Sequence, residues 1–276
     1  MQLQANQRIL DLSIPQIMGI LNFTPDSFSD SGKFFQKDTA LFQVEKMLNA
    51  GATIIDIGGE STRPMADEVT LEQELERVIP LVEAVRKNFD CWISVDTSKA
   101  QVMRESAKVG MDIINDIRAL QEPDALQTAA ELTLPVCIMH MQGQPRTMQA
   151  NPQYDDVVQD VKQWLLARAE LCIKAGVKKE NLIFDPGFGF GKSVEHNYQL
   201  LKHLDEFCAL GYPVLSGLSR KSMIGGILDK PVDQRTTGSV TGALISAMKG
   251  AKILRVHDVE QTMDALKIWL ATEKVK

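Results

Sequence analysis

Eight short runs rich in Ile, Val and Leu recur along the chain, and most are separated by longer stretches with helical periodicity. The runs are IMGIL (17–21), TIIDIG (53–58), WISVD (92–96), IINDI (113–117), VCIMH (136–140), LIFD (182–185), PVLSG (213–217) and KILRV (252–256). Between and after them lie TALFQVEKMLNAG, LEQELERVIPLVEAVRKNF, AQVMRESAKVG, DALQTAAEL, DDVVQDVKQWLLARAELCIKAG, EHNYQLLKHLDEF, SVTGALISAMKGA and VEQTMDALKIWLA. A strand followed by a crossover helix, repeated in series, implies a parallel sheet. Strands that are apolar throughout suit a sheet buried on both faces.

Eight such units favour closure into an α/β fold of the (β/α)8 type, a TIM barrel with a parallel eight-stranded core, over an open doubly wound sheet. Gly51, Gly110, Gly176 and Gly250 stand where helices should stop, the position at which the backbone turns left-handed. The chain has 276 residues, close to the roughly 250 that one barrel commonly takes. No Ser/Gly/Pro-rich linker, charge block or low-complexity tract divides it. One domain over 1–276 is expected, with residues 1–15 as an extension packing on the barrel.

Hydrophobic residues make up 44% and charged ones 24%, enough for one large core. The formal net charge is -6, which argues against a sequence-independent nucleic-acid binder. An anionic substrate must therefore be held by a few placed cations, not by the overall field. Cys91, Cys137, Cys172 and Cys208 are scattered, with neither CxxC spacing nor a nearby His cluster, so a disulfide framework and a zinc site are both poorly supported. The N-terminal residues show no apolar stretch behind a basic start, and no run of eighteen apolar residues occurs. A soluble, cytoplasmic protein without a membrane partner is expected.

The apolar runs end on polar residues. These are Asn22; Asp96 and Thr97; Asn115 and Asp116; His140; Asp185; and Arg255 with His257. In a barrel of this class the active site gathers at the C-terminal ends of the strands. An Asp or Asn after a strand can equally cap the next helix, but so many at one mouth favour a site. Asp96, Asp185 and Asn115 suit a heterocycle edge that alternates N–H donors with ring acceptors. Lys221, Arg255 and His257 suit phosphate oxygens or a ring carbonyl. Asp56 and Asp116 read as supporting groups, Lys192 as structural, His140 as a packed neighbour of the site, and His196 and His203 as surface residues.

Residues 22–33 (NFTPDSFSDSGK) and 59–69 (GESTRPMADEV) are rich in Ser, Thr, Asp, Gly and Pro, and could close over the mouth. The run Gly187-Phe188-Gly189-Phe190-Gly191-Lys192-Ser193 invites a nucleotide-binding reading and fails it. A P-loop needs Gly where Pro186 stands, and the dinucleotide fingerprint needs two residues between its second and third Gly.

These segments together resemble the dihydropteroate synthase family of pterin-binding barrels. The match rests on MGILNFTPDSFSDSG (18–32), GATIIDIGGESTRP (51–64), ISVDTSKAQVMRESAKVG (93–110), IINDIRAL (113–120), PVCIMHMQGQPRTM (135–148), LIFDPGFGFGKSVEHNYQLL (182–201), LSRKSMIG (218–225) and RVHDV (255–259). The resemblance implies condensation of a dihydropterin pyrophosphate with p-aminobenzoate in folate biosynthesis, by an SN1-like displacement. It carries over position by position: Asp96, Asn115, Asp185 and Lys221 match the family's pterin contacts. Arg255, His257 and Asn22 match its pyrophosphate and Mg2+ site, with Asn22 as the metal ligand and Arg63 helping. Thr62, Pro64, Ser219, Phe28 and Phe190 match the surroundings of p-aminobenzoate. It further implies a homodimer formed through helices of the outer wall. Sulfonamide sensitivity is also expected, because the Gly187–Gly191 region carries no insertion. Phe23, where aliphatic residues are usual, and Met65, where Gly is frequent, are the departures. A corrinoid methyltransferase would share the barrel and pocket, but has no reason to keep the two loops or the SRK cluster.

Overall fold

A computed structural model describes residues 1–23, 33–60, 69–143, 148 and 151–275, with side chains from 37 onward in the second stretch. Eight parallel strands form the core: β3 (Gln16–Asn22), β4 (Ile54–Gly58), β5 (Trp92–Asp96), β6 (Ile113–Asp116), β7 (Val136–Met139), β8 (Leu182–Asp185), β9 (Leu215–Ser216) and β10 (Ile253–Val256). Their hydrogen-bonded order is β8-β7-β6-β5-β4-β3-β10-β9. A single parallel bridge between Phe184 and Val214 joins the two ends, so the sheet closes into the expected barrel.

Every residue of β4 and β5 is buried, as strands covered on both faces require. Ile54, Ile55, Ile57, Ile93, Val95, Ile113, Ile114 and Ile138 are wholly inaccessible. Each such side chain contributes roughly 1.5–3 kcal/mol relative to exposure.

Around the barrel run α1 (Lys33–Asn49), α2 (Leu71–Asn88), α3 (Ala100–Lys108), α4 (Ala125–Leu132), α5 (Val157–Ala175), α6 (Val194–Lys202), α7 (Leu204–Cys208), α8 (Ser222–Leu228), α9 (Thr236–Met248) and α10 (Val259–Lys274). Gly51, Gly110, Gly176 and Gly250 all have positive φ after helix ends, between +103° and +111°. Local chemistry sets the starts. Thr70 and Gln73 form a reciprocal capping box at α2, and the Asp156 carboxylate accepts from Val158 N at 3.0 Å at α5. All four cysteines are free thiols, three of them buried.

Three features differ from the sequence reading. The segment 195–207 is not one helix: it breaks at His203, which caps α6 and opens α7. The helix α8 goes unannounced because Gly225 and Gly226 dilute its helical signal. Before the barrel, β1 (Gln2–Ala5) pairs antiparallel with β2 (Arg8–Asp11). Their turn, Asn6-Gln7, takes positive φ at both residues without a glycine. The hairpin buries Leu3 and Leu10, and the Asn6 amide donates to Met111 O at 2.8 Å and to Asp112 Oδ1 at 3.2 Å. Met111 and Asp112 lie just before β6, so the hairpin lies against the N-terminal end of the strands, opposite the mouth.

Candidate active site

The strands hand their last side chains to one rim. Asp96 closes β5 in register with Gly58 of β4 and Asn115 of β6. Ser94, two residues before Asp96, faces the same way and pairs with Asp56. The result is a polar floor built around the inaccessible Asp56 carboxylate. Asp56 Oδ1 accepts from Ser94 Oγ at 2.6 Å and from Asn115 Nδ2 at 3.2 Å, while Oδ2 accepts from Arg255 Nε at 2.7 Å. The same guanidinium donates through Nη2 to Asp96 Oδ2 at 2.9 Å.

Charge balance explains the titration of this cluster. Burial pushes Asp96 up to about 7, against the pull of Arg255 and with the repulsion of Asp56 and Asp116. Burial alone would depress Arg255, but Asp56 and Asp96 outweigh it and hold the guanidinium charged. Arg255 is therefore tied first to Asp56 and Asp96, beside Asn115, and not to Asn22.

On the other side of the mouth stand Asp185 and Lys221. Asp185 ends β8 and accepts from Gly187 N at 2.7 Å; burial raises its pKa, opposed first by Lys221. Lys221 leads into α8, and its Nζ donates to Phe188 O and sits 4.5 Å from the Phe190 ring centroid. Burial lowers Lys221 to about 8, partly offset by Asp185.

His257 and Ser219 form a third group. Ser219 Oγ lies 3.0 Å from His257 Nδ1 and accepts from His257 N at 3.2 Å. A cleft of about 480 Å³, lined by Asn22, His257, Arg220 and Lys46 among others, opens beside them toward α1 and α10. Arg220 takes a positive φ and pairs with Asp258, Nη2 to Oδ1 at 2.5 Å, which fixes the residue before Lys221.

The structure thus brings together Asp96, Asn115 and Arg255, and separately Asp185, Lys221 and Phe190. Asn22 and His257 share the cleft. Thr62, Arg63, Pro64 and Phe28 lie outside the described residues, as does Met65. Asp116 is a supporting group that caps no helix: it accepts from Arg118 N and Leu120 N at 2.8 and 2.7 Å and holds the turn after β6, well before α4 starts at Ala125. His140 is buried between the rings of Trp164 and Tyr154, and burial, then Lys192, drives its pKa down to about 2. His203 is a surface group, its side chain 42% exposed beside Glu206, whereas His196 is partly buried: it completes the Ser193 capping box and meets the Tyr154 ring edge at 5.1 Å. Ser94 was not anticipated, although a polar residue inside WISVD is the signal that could have found it.

Among the described residues no three His, Cys, Asp or Glu side chains gather as a metal cage. The donor set fits magnesium in one role only. Asn22 offers a hard, neutral oxygen to an ion that keeps most of its ligands from water and phosphate.

Comparison with known proteins gives this geometry its context. The pterin-binding enzyme family matches residues 18–257. The chain is 74% identical over 272 residues, covering 99% of both chains, to the dihydropteroate synthase of Haemophilus influenzae. The chain belongs to the dihydropteroate synthase family. Its fold superposes on the Yersinia pestis dihydropteroate synthase solved with a sulfonamide drug complex, with a TM-score of 0.95 and 56% identity over 100% of both chains. The Xanthomonas albilineans dihydropteroate synthase in complex with 7,8-dihydropteroate matches with a TM-score of 0.91 and 43% identity, again over 100% of both chains. Among the described residues of this family member, no helix is long and apolar enough to cross a membrane.

Proposed function

We infer that this protein condenses 6-hydroxymethyl-7,8-dihydropterin pyrophosphate with p-aminobenzoate, giving 7,8-dihydropteroate and pyrophosphate. The observation that carries the reading is the juxtaposition, at the mouth of a pterin-binding barrel, of the Asp56-anchored Asp96–Asn115–Arg255 floor with the Asp185–Lys221 pair. Asp96, Asn115 and Asp185 read the donor edge of the pterin, and Lys221 reads an acceptor.

An arylamine is a weak nucleophile, so departure of the diphosphate dominates the barrier. As the CH2–O bond breaks, its electron pair leaves with the diphosphate and positive charge develops on the pterin CH2. Asp96, whose ionised form Arg255 favours against burial, offsets that charge through the ring N–H it accepts. Arg255 and His257 neutralise the departing oxygens, His257 being oriented by Ser219. The p-aminobenzoate nitrogen then forms the C–N bond and releases its proton. Asn22 would hold magnesium, which when bound supplies charge neutralisation on the diphosphate. We assign Phe190 and Ser219 to the p-aminobenzoate side; the family resemblance adds Thr62, Pro64 and Phe28 there and Arg63 at the diphosphate. Excluding the water that would capture the cation is the role the family resemblance implies for the two Ser/Thr/Pro loops.

The decisive assay is pyrophosphate release in the presence of both substrates. Release from the pterin ester that proceeds equally without p-aminobenzoate, or no release at all, removes the reading.

A homodimer fits the exposed apolar residues of the outer wall. Ile227, Ile245, Met248 and Ile268 all point outward from α8, α9 and α10, at 63, 36, 60 and 70% exposure. Light scattering at the mass of two chains is the expected result. The unpaired thiols fit a cytoplasmic setting, and a sulfonamide should compete with p-aminobenzoate.

A further inference from the structure

Lys192 ends the Gly-Phe-Gly-Phe-Gly run that follows β8, yet it is buried, with 3% exposure. Three carbonyls accept from its Nζ, Gly187 O and Phe190 O at 2.9 Å and His140 O at 3.3 Å, and His140 Nδ1 lies 3.0 Å away. An ammonium has one hydrogen for each of the three carbonyls, whereas a neutral amine has only two. Without the lysine, the Phe190 and His140 carbonyls would lose their donor in a closed interior, each at about 1–3 kcal/mol, while Gly187 O would keep Phe190 N at 3.1 Å. Burial lowers the lysine to about 7; Asp185 counters this and Lys221 adds to it.

The rest of the run is fastened to the same spot. Gly187 and Gly191 hold positive φ, and a Cβ on them would meet His140 O at 1.9 Å and Gln142 O at 2.4 Å. Gly189 N donates to Asn197 Oδ1 at 2.7 Å, and Asn197 Nδ2 returns to Ser193 O at 2.6 Å. What this loop presents on its outer side is the seat of Lys221: the Phe188 carbonyl and the Phe190 ring.

We propose that Lys192 is a positioning residue for the condensation, an internal cation around which the Gly187–Phe190 backbone folds so that Phe188 O and the Phe190 ring aim Lys221 at the pterin. The proposal rests on the reading of Lys221 as a pterin contact.

Lys192→Met keeps the stem and removes the charge. It should lower kcat by about 10–100-fold, the usual effect of losing a group that orients a site residue. Lys221 is faced by Asp185, Asp96 and Arg255, and Lys192 is already losing its own proton near 7, so the basic limb of the kcat/KM pH profile should stay near 8 while kcat falls. Lys192→Ala lacks only the propylammonium portion of the side chain. Added propylammonium should restore at least tenfold of its lost turnover, and 1-propanol should not. If the Met variant does not fold, the Ala variant with these two additives decides alone. A Met variant whose kcat stays within twofold of wild type overturns the proposal. So does equal rescue by propanol, which would make stem volume the cause, or no rescue by either additive. Lys221→Met run alongside separates the two readings: full turnover there sinks the pterin-contact assignment itself.

Discussion

Arg255 on β10 reaches past β3 and β4 to Asp96 at the end of β5, Nη2 to Oδ2 at 2.9 Å, while its Nε holds Asp56 at 2.7 Å. One guanidinium thus ties the two carboxylates of the floor and opposes the burial that raises the one nearer the mouth. Its planar fork can serve both at once, which an ammonium could not.

Removing that cation leaves buried carboxylates without their partner. Arg255→Ala should cost about 3–5 kcal/mol of stability, read as a lower urea midpoint at unchanged slope. Arg255→Lys should recover only part of it. A midpoint equal to wild type in the Ala variant would show that Ser94 and Asn115 suffice.

Activity should be confined to a narrow pH window. Asp96, raised to about 7, is ionised above that value, and Lys221, lowered to about 8, is charged below that one. The profile of kcat/KM should therefore rise through about 7 and fall through about 8. Stability should move differently. Between the ordinary carboxylate range and about 7 the folded state keeps a proton on Asp96 that the unfolded chain has lost, so this group weakens the fold as pH rises there. Above about 8 the unfolded chain holds the proton that folded Lys221 has lost, so stability from this group increases with pH up to the ordinary lysine range. A flat profile of kcat/KM between pH 6 and 9 contradicts the assignment.

Asp96→Ala and Lys221→Ala should each lower turnover by roughly 10²–10³-fold, the loss expected for one placed electrostatic group. Steady-state kinetics on folded variants checks this, and near-wild-type kcat/KM in either would remove that residue from the site.

Metal dependence is an independent test. Rigorous chelation should abolish turnover, and added magnesium should restore it. Asn22→Ala should raise the magnesium needed for half-maximal rate by roughly tenfold, equivalent to about 1.4 kcal/mol. Full activity after chelation would leave Asn22 without its proposed role.

Much of this architecture was legible from residue order because the strands are short and uniformly apolar. WISVD and LIFD match β5 and β8 to the residue. PVLSG shrinks to the two residues of β9, since Pro213 and Gly217 flank it and neither sustains a ladder. The hairpin of β1 and β2 escaped because its turn uses Asn6 and Gln7 in conformations usually marked by glycine. The polar rim could be read because strand ends are fixed by the barrel itself. What residue order does not carry is who pairs with whom: that Asp56 is the hub, that Ser94 braces it, and that Arg255 joins the pterin floor. These are contacts between strands 38 to 199 residues apart.

The bridge that closes the barrel has a dynamic consequence. Phe184 N to Pro213 O at 2.9 Å is the rung across that seam, between β8 and the approach to β9, where every other neighbouring pair of barrel strands shares a registered ladder. Fewer rungs mean easier local opening, so hydrogen–deuterium exchange at Phe184 should outpace that at Val95 or Ile114. Asp185 stands on one lip of the seam and Lys221 beyond the other. A pterin gripped by both would act as a suture, slowing exchange at a backbone amide it never touches.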